Sequence, residues 1–86
     1  MSKLPVVAGK DVVRALEKAG FILVRQHGSH MIMSKKSSEK SLTAVIPNHR
    51  EIARGTLRSI LRQAKISPED LVKLLTLIIG FTPLMK

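Results

Sequence analysis

The chain has 86 residues, which is enough for a single domain over residues 1–86 and too few for two. Fifteen lysines and arginines against six acidic residues give a net charge of +9, an excess that favours a polyanionic partner such as nucleic acid. With no cysteine and only two aromatic residues, the composition excludes disulfides, thiolate metal sites and a cysteine nucleophile, and it argues against base stacking on an aromatic platform.

The first predicted element is a helix over residues 10–19. Val12, Val13, Leu16 and Ala19 recur at helical spacing, and they would form one apolar face. Gly20 follows directly and is the residue type that most often closes a helix in a left-handed conformation.

Three predicted strands follow the first helix. Residues 21–27 and 30–35 are separated by Gly28-Ser29, a pair typical of a two-residue hairpin turn in which glycine supplies the positive φ angle. After a polar loop over residues 36–40, residues 41–46 form the third predicted strand, and Pro47 is expected to end it.

Two helices complete the prediction. Gly55-Thr56 resembles a break followed by an N-cap, which predicts a helix over residues 57–65. Ser67 and Pro68 are a capping residue and a first-turn proline, so a last helix should run from there to Ile79 and end at Gly80. The domain core is expected over residues 4–66, with a helical tail over residues 67–86.

This order of elements predicts an α+β fold of two layers. A three-stranded antiparallel sheet would have its helices on one face. In a two-residue hairpin His27 and His30 pair directly, with Arg25 opposite Ile32 and Leu23 opposite Ser34 on the same side. The opposite side is the more apolar and should meet the helices; it holds Ile22, Val24, Met31 and Met33.

The hairpin is a candidate catalytic site. Imidazole titrates near neutral pH and can exchange a proton during a reaction, while Gly28 and Ser29 leave room for a substrate backbone. The alternative is an exposed turn histidine without a role. A metal site built from His27, His30 and His49 is rejected, because acidic residues are scarce in so basic a domain and none lies in the hairpin.

Arginine recurs every four residues along the second helical region. Guanidinium groups bind phosphates bidentately, so this region is a candidate for contacts with a nucleic-acid backbone, against the alternative of a solvated helix face. Further cationic residues lie in the predicted sheet and its loop. The candidate RNA-binding residues are together Arg25, Lys35, Lys36, Arg50, Arg54, Arg58 and Arg62.

Four stretches in this order and spacing resemble the HicA toxin family, over roughly residues 4–72. They are Gly20-Phe21, the hairpin sequence Arg25-Gln26-His27-Gly28-Ser29-His30, Ile46-Pro47-Asn48-His49, and Gly55-Thr56-Leu57-Arg58-Ser59-Ile60-Leu61-Arg62-Gln63-Ala64. The chain departs from the family's usual pattern at Met31 and at Lys65, and its tail is longer and more apolar.

The resemblance implies a fold like the double-stranded-RNA-binding domain, α-β-β-β-α, here with an added C-terminal helix. It implies a ribosome-independent mRNA endoribonuclease that stops translation and a HicB antitoxin that covers the active site. The catalytic histidine of the family corresponds to His30; His27 or His49 would be its counterpart, and no metal or other cofactor is expected.

Other expectations concern function, location and assembly. The leading rival is a non-catalytic module of the same fold that binds double-stranded or structured RNA; another is a protein whose basic face serves an acidic partner. The chain shows neither a signal-peptide pattern nor the ~20 apolar residues of a membrane span, which favours a cytoplasmic protein. The apolar tail is expected to pack on its own domain, with a homodimer contact as the alternative.

Overall fold

The fold is an α+β arrangement with one antiparallel sheet, as predicted. The computed structural model describes residues 4–79. The sheet has the strand order β1-β2-β3, so the central strand is β2. The elements in chain order are α1 (Gly9–Lys18), β1 (Ile22–His27), β2 (His30–Lys36), β3 (Ser41–Pro47), α2 (Arg54–Ala64) and α3 (Pro68–Ile79).

The hydrophobic core lies on one face of the sheet. Met31 pairs with Ile46 and Met33 with Ala44, and all four side chains are buried. Because strand residues alternate between faces, these positions define the side that the helices cover. The helices contribute the buried side chains of Val12, Ala15, Leu16, Leu57, Ile60, Leu61, Ala64, Leu71 and Leu75.

Two glycines adopt the conformations that the sequence predicts. Gly20 has φ +102°, and the Phe21 amide then donates to the Leu16 carbonyl oxygen at 2.9 Å, which closes α1. Gly28 has φ +60° in the hairpin turn, and the His27–His30 pair directly precedes and follows that turn.

The predicted pairing of β1 is wrong beyond Arg25. A β-bulge between Leu23 and Arg25 adds one residue to the strand, so that Leu23 pairs with Met33, and Ile22 takes the place opposite Ser34. Ile22 and Val24, which were expected to meet the helices, are instead 66% and 57% exposed. The bulge moves Ile22 to the other face, because strand side chains alternate with a period of two.

The second helix begins earlier than Gly55-Thr56 suggests. It starts at Arg54, and the Leu57 amide donates to the Ala53 carbonyl oxygen at 2.9 Å to form its first turn. Gly55 therefore lies inside the helix rather than breaking it. The preceding Ile52 is buried and its amide donates to the Val7 carbonyl oxygen at 2.8 Å, so tertiary contacts fix the approach to α2.

The last helix packs on its own domain over the part that is described. The Asp70 amide donates to the Ser67 hydroxyl oxygen at 3.1 Å, which confirms the predicted N-cap. Leu71 and Leu75 are fully buried, and α3 contacts α1. The predicted end at Gly80 and the apolar residues after it lie outside the described residues. Within residues 4–79, no helix has the length and apolar character needed to cross a bilayer.

Candidate functional site at the hairpin end of the sheet

Two histidines lie side by side where the β1–β2 hairpin turns. His27 pairs with His30, and on its other side His30 pairs with Pro47 of β3. The neighbouring Met31 is buried against the helices, so alternation along β2 places His30 on the open face of the sheet. Both histidines are exposed and can reach a ligand that lies on this face.

The segment after β3 brings a third histidine to the same end of the sheet. His49 follows Pro47 by two residues, and the Asn48 amide donates to the Ser29 carbonyl oxygen at 2.6 Å. This bond joins the segment to the hairpin turn. The segments that carry the three histidines therefore lie at one rim of the sheet.

The turn itself leaves space for a ligand. A Cβ atom built on Gly28 would meet no other heavy atom within 4 Å, so the backbone of the turn stands in the open. Gly28 and Ser29 are both exposed. A substrate backbone can therefore approach the turn next to His30 without displacing protein atoms.

The electrostatic surroundings of the rim are positive. No acidic residue occurs from Ile22 to Lys36, and Arg25 lies two residues before His27, whereas Lys35 and Lys36 lie at the other end of β2. Arg25 pairs with Ile32 on the same face as His27 and His30. Among residues 4–79, no three His, Asp or Glu side chains group as metal ligands would. The arrangement suits a phosphate-bearing ligand better than a cation.

Three of the four candidate arginines of the second helical region share one helix. Arg54, Arg58 and Arg62 recur at intervals of four in α2, so they lie along one side of it, and all three are exposed. The predicted helix over residues 57–65 would leave Arg54 before its start, which is wrong, because α2 begins at this residue. Arg50 is exposed in the segment between β3 and α2, close in sequence to His49.

A side chain of α2 ties this helix to the outer edge of the sheet. The Val45 amide donates to the Gln63 side-chain oxygen at 3.1 Å, which ties α2 to β3. On the opposite side of the helix Leu57, Ile60 and Leu61 are buried. The helix that carries the arginines is therefore tied to β3, the strand in which Pro47 pairs with His30.

The candidate lysines of β2 differ in their surroundings. The Lys35 ammonium donates to the Ala19 carbonyl oxygen at 2.8 Å and lies 5.9 Å from the centre of the Phe21 ring. It thereby binds the C-terminal end of α1, where carbonyl groups carry partial negative charge. Lys36 is exposed. We expect Lys36 to contribute more to the binding of a polyanion than Lys35 does.

Sequence reasoning missed the residues that hold the site together. The hydrogen bonds of Asn48 and Gln63 were not predicted from the sequence, because each residue bonds to a segment that is far away along the chain. Amide side chains and loop backbones are common on surfaces, and no local pattern marks the ones that form such bonds. The one sequence feature that pointed to this segment was His49, which stands two residues after a proline at the end of a strand.

Comparison with known proteins identifies one family. Residues 9–66 match the profile of a family described as HicA toxin of bacterial toxin-antitoxin. The match includes the hairpin, the segment with His49 and the whole of α2. No curated protein sequence gives a significant match to the chain.

Proposed function

Because the chain belongs to the HicA toxin family of bacterial toxin–antitoxin systems, we propose that it acts as an endoribonuclease that cleaves mRNA and so inhibits translation. The observation that carries the proposal is the position of His30, between His27 and Pro47 at an open, positively charged rim. A general acid–base group must come within hydrogen-bond reach of the proton that it transfers, and the open face beside His30 gives a substrate that access.

The proposed reaction needs no group from outside the chain. The 2′-hydroxyl of a ribose attacks the adjacent phosphorus, the bond to the 5′-oxygen breaks, and a 2′,3′-cyclic phosphate and a 5′-hydroxyl remain. One group takes the proton of the 2′-hydroxyl, and another supplies a proton to the leaving 5′-oxygen. His30 acts as one of these groups, and His27 or His49 acts as the other.

The arginines have an electrostatic role in the proposal. The phosphorane-like transition state carries more negative charge than the ground state, and guanidinium groups stabilise it. Arg25 is the arginine on the face that carries His27 and His30. The arginine side of α2 and Arg50 would follow the RNA backbone away from the cleaved bond, giving affinity with little base preference.

The proposed partners follow from membership of the family. A member of this family works with an antitoxin, and we propose that the antitoxin is of the HicB type and covers the hairpin rim. The proposed substrate is mRNA, and the proposed place of action is the cytoplasm. Homodimer formation through the tail remains an alternative for its last residues.

The proposal is tested by expressing wild-type protein and His30→Gln in bacteria, with growth and mRNA integrity as readouts. Glutamine keeps much of the size and polarity of histidine and cannot exchange a proton near neutral pH. Thr43→Ala, an exposed change on the same face of β3, serves as the matched control. We expect growth arrest and mRNA cleavage with wild type and Thr43→Ala, and neither with His30→Gln.

Two outcomes would contradict the proposal. Soluble wild-type protein that leaves growth and mRNA intact would exclude an active nuclease and favour the RNA-binding module of the same fold. Equal cleavage by wild type and His30→Gln would exclude His30 as the acid–base group. The same purified proteins, assayed on a synthetic RNA in the presence of a chelator, would show whether a metal ion takes part.

A further inference from the structure

We propose that Gly9 is a positioning residue for the site, because its lack of a side chain lets α1 hold the segment 47–49 against the hairpin. The inference rests on the proposed nuclease function for its catalytic consequence. Gly9 is the first residue of α1 and is buried, and it lies outside the group of residues to which the sequence assigned chemistry.

The contact at Gly9 is between two backbones. A Cβ atom built on Gly9 would overlap the carbonyl oxygen of Pro47 and would lie 3.2 Å from the Cα atom of Asn48. Neither atom belongs to a side chain that can rotate away. Any larger residue at position 9 must therefore push the segment away from α1. The φ angle of Gly9 is not positive, so close approach is the reason for glycine here.

Two hydrogen bonds join residues 49–52 to the start of α1 and the residues just before it. The Gly9 amide donates to the His49 carbonyl oxygen at 2.8 Å, and the Ile52 amide donates to the Val7 carbonyl oxygen at 2.8 Å. Val7 and Ile52 are buried in the core, so both ends of this double contact are anchored. We call residues 7–9 the strap.

The strap acts on the site through one further bond. The backbone amide of Asn48 donates a hydrogen bond to the carbonyl oxygen of Ser29, the residue before His30. One backbone hydrogen bond thus links Gly9 to His49, and another links Asn48 to the hairpin turn. Together they hold the segment with His49 against the hairpin that carries His27 and His30. Since acid–base catalysis depends on sub-ångström placement, a displaced segment should lower the rate of the chemical step. The arginines of α2 bind RNA independently of that displacement.

The test compares wild type, Gly9→Ala and Gly55→Ala in cleavage of a synthetic RNA. Gly55 is the matched control, because a Cβ atom there would meet nothing within 4 Å. We expect kcat to fall at least tenfold in Gly9→Ala while KM changes less than threefold, and both constants to stay within twofold in Gly55→Ala. Ile60→Val, a change of a buried residue outside the strap, shows how far a loss of core packing alone lowers the rate, and the fraction of folded protein is measured for each variant.

A second pair of variants covers the case in which Gly9→Ala does not fold. Ile52→Val and Ile60→Val remove the same methyl group from buried positions, but only Ile52 anchors the segment at the strap. We expect at least a threefold fall in kcat for Ile52→Val, and less than a 1.5-fold fall for Ile60→Val. Equal values for the pair would overturn the proposal.

Two measurements do not depend on RNA cleavage. In wild-type protein, the amide protons of Gly9, Asn48 and Ile52 should exchange with solvent at least a hundredfold more slowly than in an unstructured peptide. The imidazole NMR signals of His30 and His49 should shift in Gly9→Ala and stay in place in Ile60→Val. Unprotected amides or unmoved signals would show that the strap does not hold the segment.

The outcomes separate this inference from the proposed function. If wild type does not cleave RNA, the proposed function fails, whereas exchange and the histidine signals still report on the strap. If wild type and folded Gly9→Ala cleave RNA with the same kcat, the nuclease function stands and the positioning role of Gly9 is wrong.

Discussion

The side-chain ammonium of Lys35 donates to the carbonyl oxygen of Ala19 at 2.8 Å and thereby joins the central strand to the end of α1. Gly20 leaves room for this side chain, because a Cβ atom there would lie 3.2 Å from the Cε atom of Lys35, closer than an ordinary contact. A lysine that sequence reasoning assigned to RNA binding is thus also a structural residue.

Replacing Lys35 with Met should destabilise the fold. The change keeps most of the apolar stem and removes a charged donor from a half-buried site at a helix C-terminus, so we expect a loss of about 1–2 kcal/mol in the free energy of unfolding. Urea denaturation measures it. Lys36→Met is the control, because Lys36 is exposed; it should change stability by less than about 0.5 kcal/mol. Equal losses in the two variants would contradict the structural role.

Lys65→Gly should stabilise the protein. Lys65 ends α2 with φ 60°, a left-handed conformation that costs a residue with a Cβ atom about 1 kcal/mol and costs glycine little. Its amide donates to the Arg62 carbonyl oxygen, so the cap geometry is already formed. We expect a gain of about 0.5–1 kcal/mol in urea denaturation, reduced by the greater freedom of glycine in the unfolded chain. Lys65→Ala should give no such gain.

The exposed apolar residues of β1 predict a tendency to associate. Ile22, Leu23 and Val24 are consecutive and exposed on an edge strand, an arrangement that promotes pairing with other chains. Val24→Lys should reduce concentration-dependent light scattering and change the free energy of unfolding by less than about 1 kcal/mol. Thr43→Lys, a similar charge change on β3, is the control. An unchanged scattering profile for Val24→Lys would exclude this strand as the site of association.

The arginine side of α2 should set the salt dependence of RNA binding. Replacing Arg58 or Arg62 with Gln removes one phosphate contact each, so each change should lower the slope of log affinity against log salt by about 0.7–1. The measurement is a binding titration with a nuclease-inactive His30→Gln background at several salt concentrations. Lys18→Gln on α1 should leave the slope unchanged. Slopes that stay equal in all variants would mean that α2 does not contact phosphates.

Features set by neighbouring residues could be predicted from the sequence. Gly20 and Gly28 mark the end of a helix and a hairpin turn because their left-handed conformations suit glycine, and Ser67 caps α3 with its own hydroxyl. The His27–His30 pair follows from the length of the turn alone.

Features set by distant residues could not be predicted. The β-bulge near Val24 inverts the faces of Ile22 and Leu23, and nothing in that run of residues distinguishes it from a regular strand. From its residue type alone, Gly55 indicates a helix break. The bond from the buried Ile52 to Val7, which fixes the start of α2, is made between distant residues and leaves no local pattern in the sequence. The candidate histidines were found from the sequence, but the strap and the Asn48–Ser29 bond that hold them were not.

The contact between the strap and residues 49–52 also bears on the order of folding. The hairpins can close locally, but the bond from Gly9 to His49 joins the start of α1 to the segment after β3, and a loop of that length closes later because it costs more chain entropy. We therefore expect the strap to dock on this segment only after the β-hairpins that carry the three histidines have formed. A nascent or partly unfolded chain would lack the complete site, so activity would depend on the cooperative integrity of the whole domain.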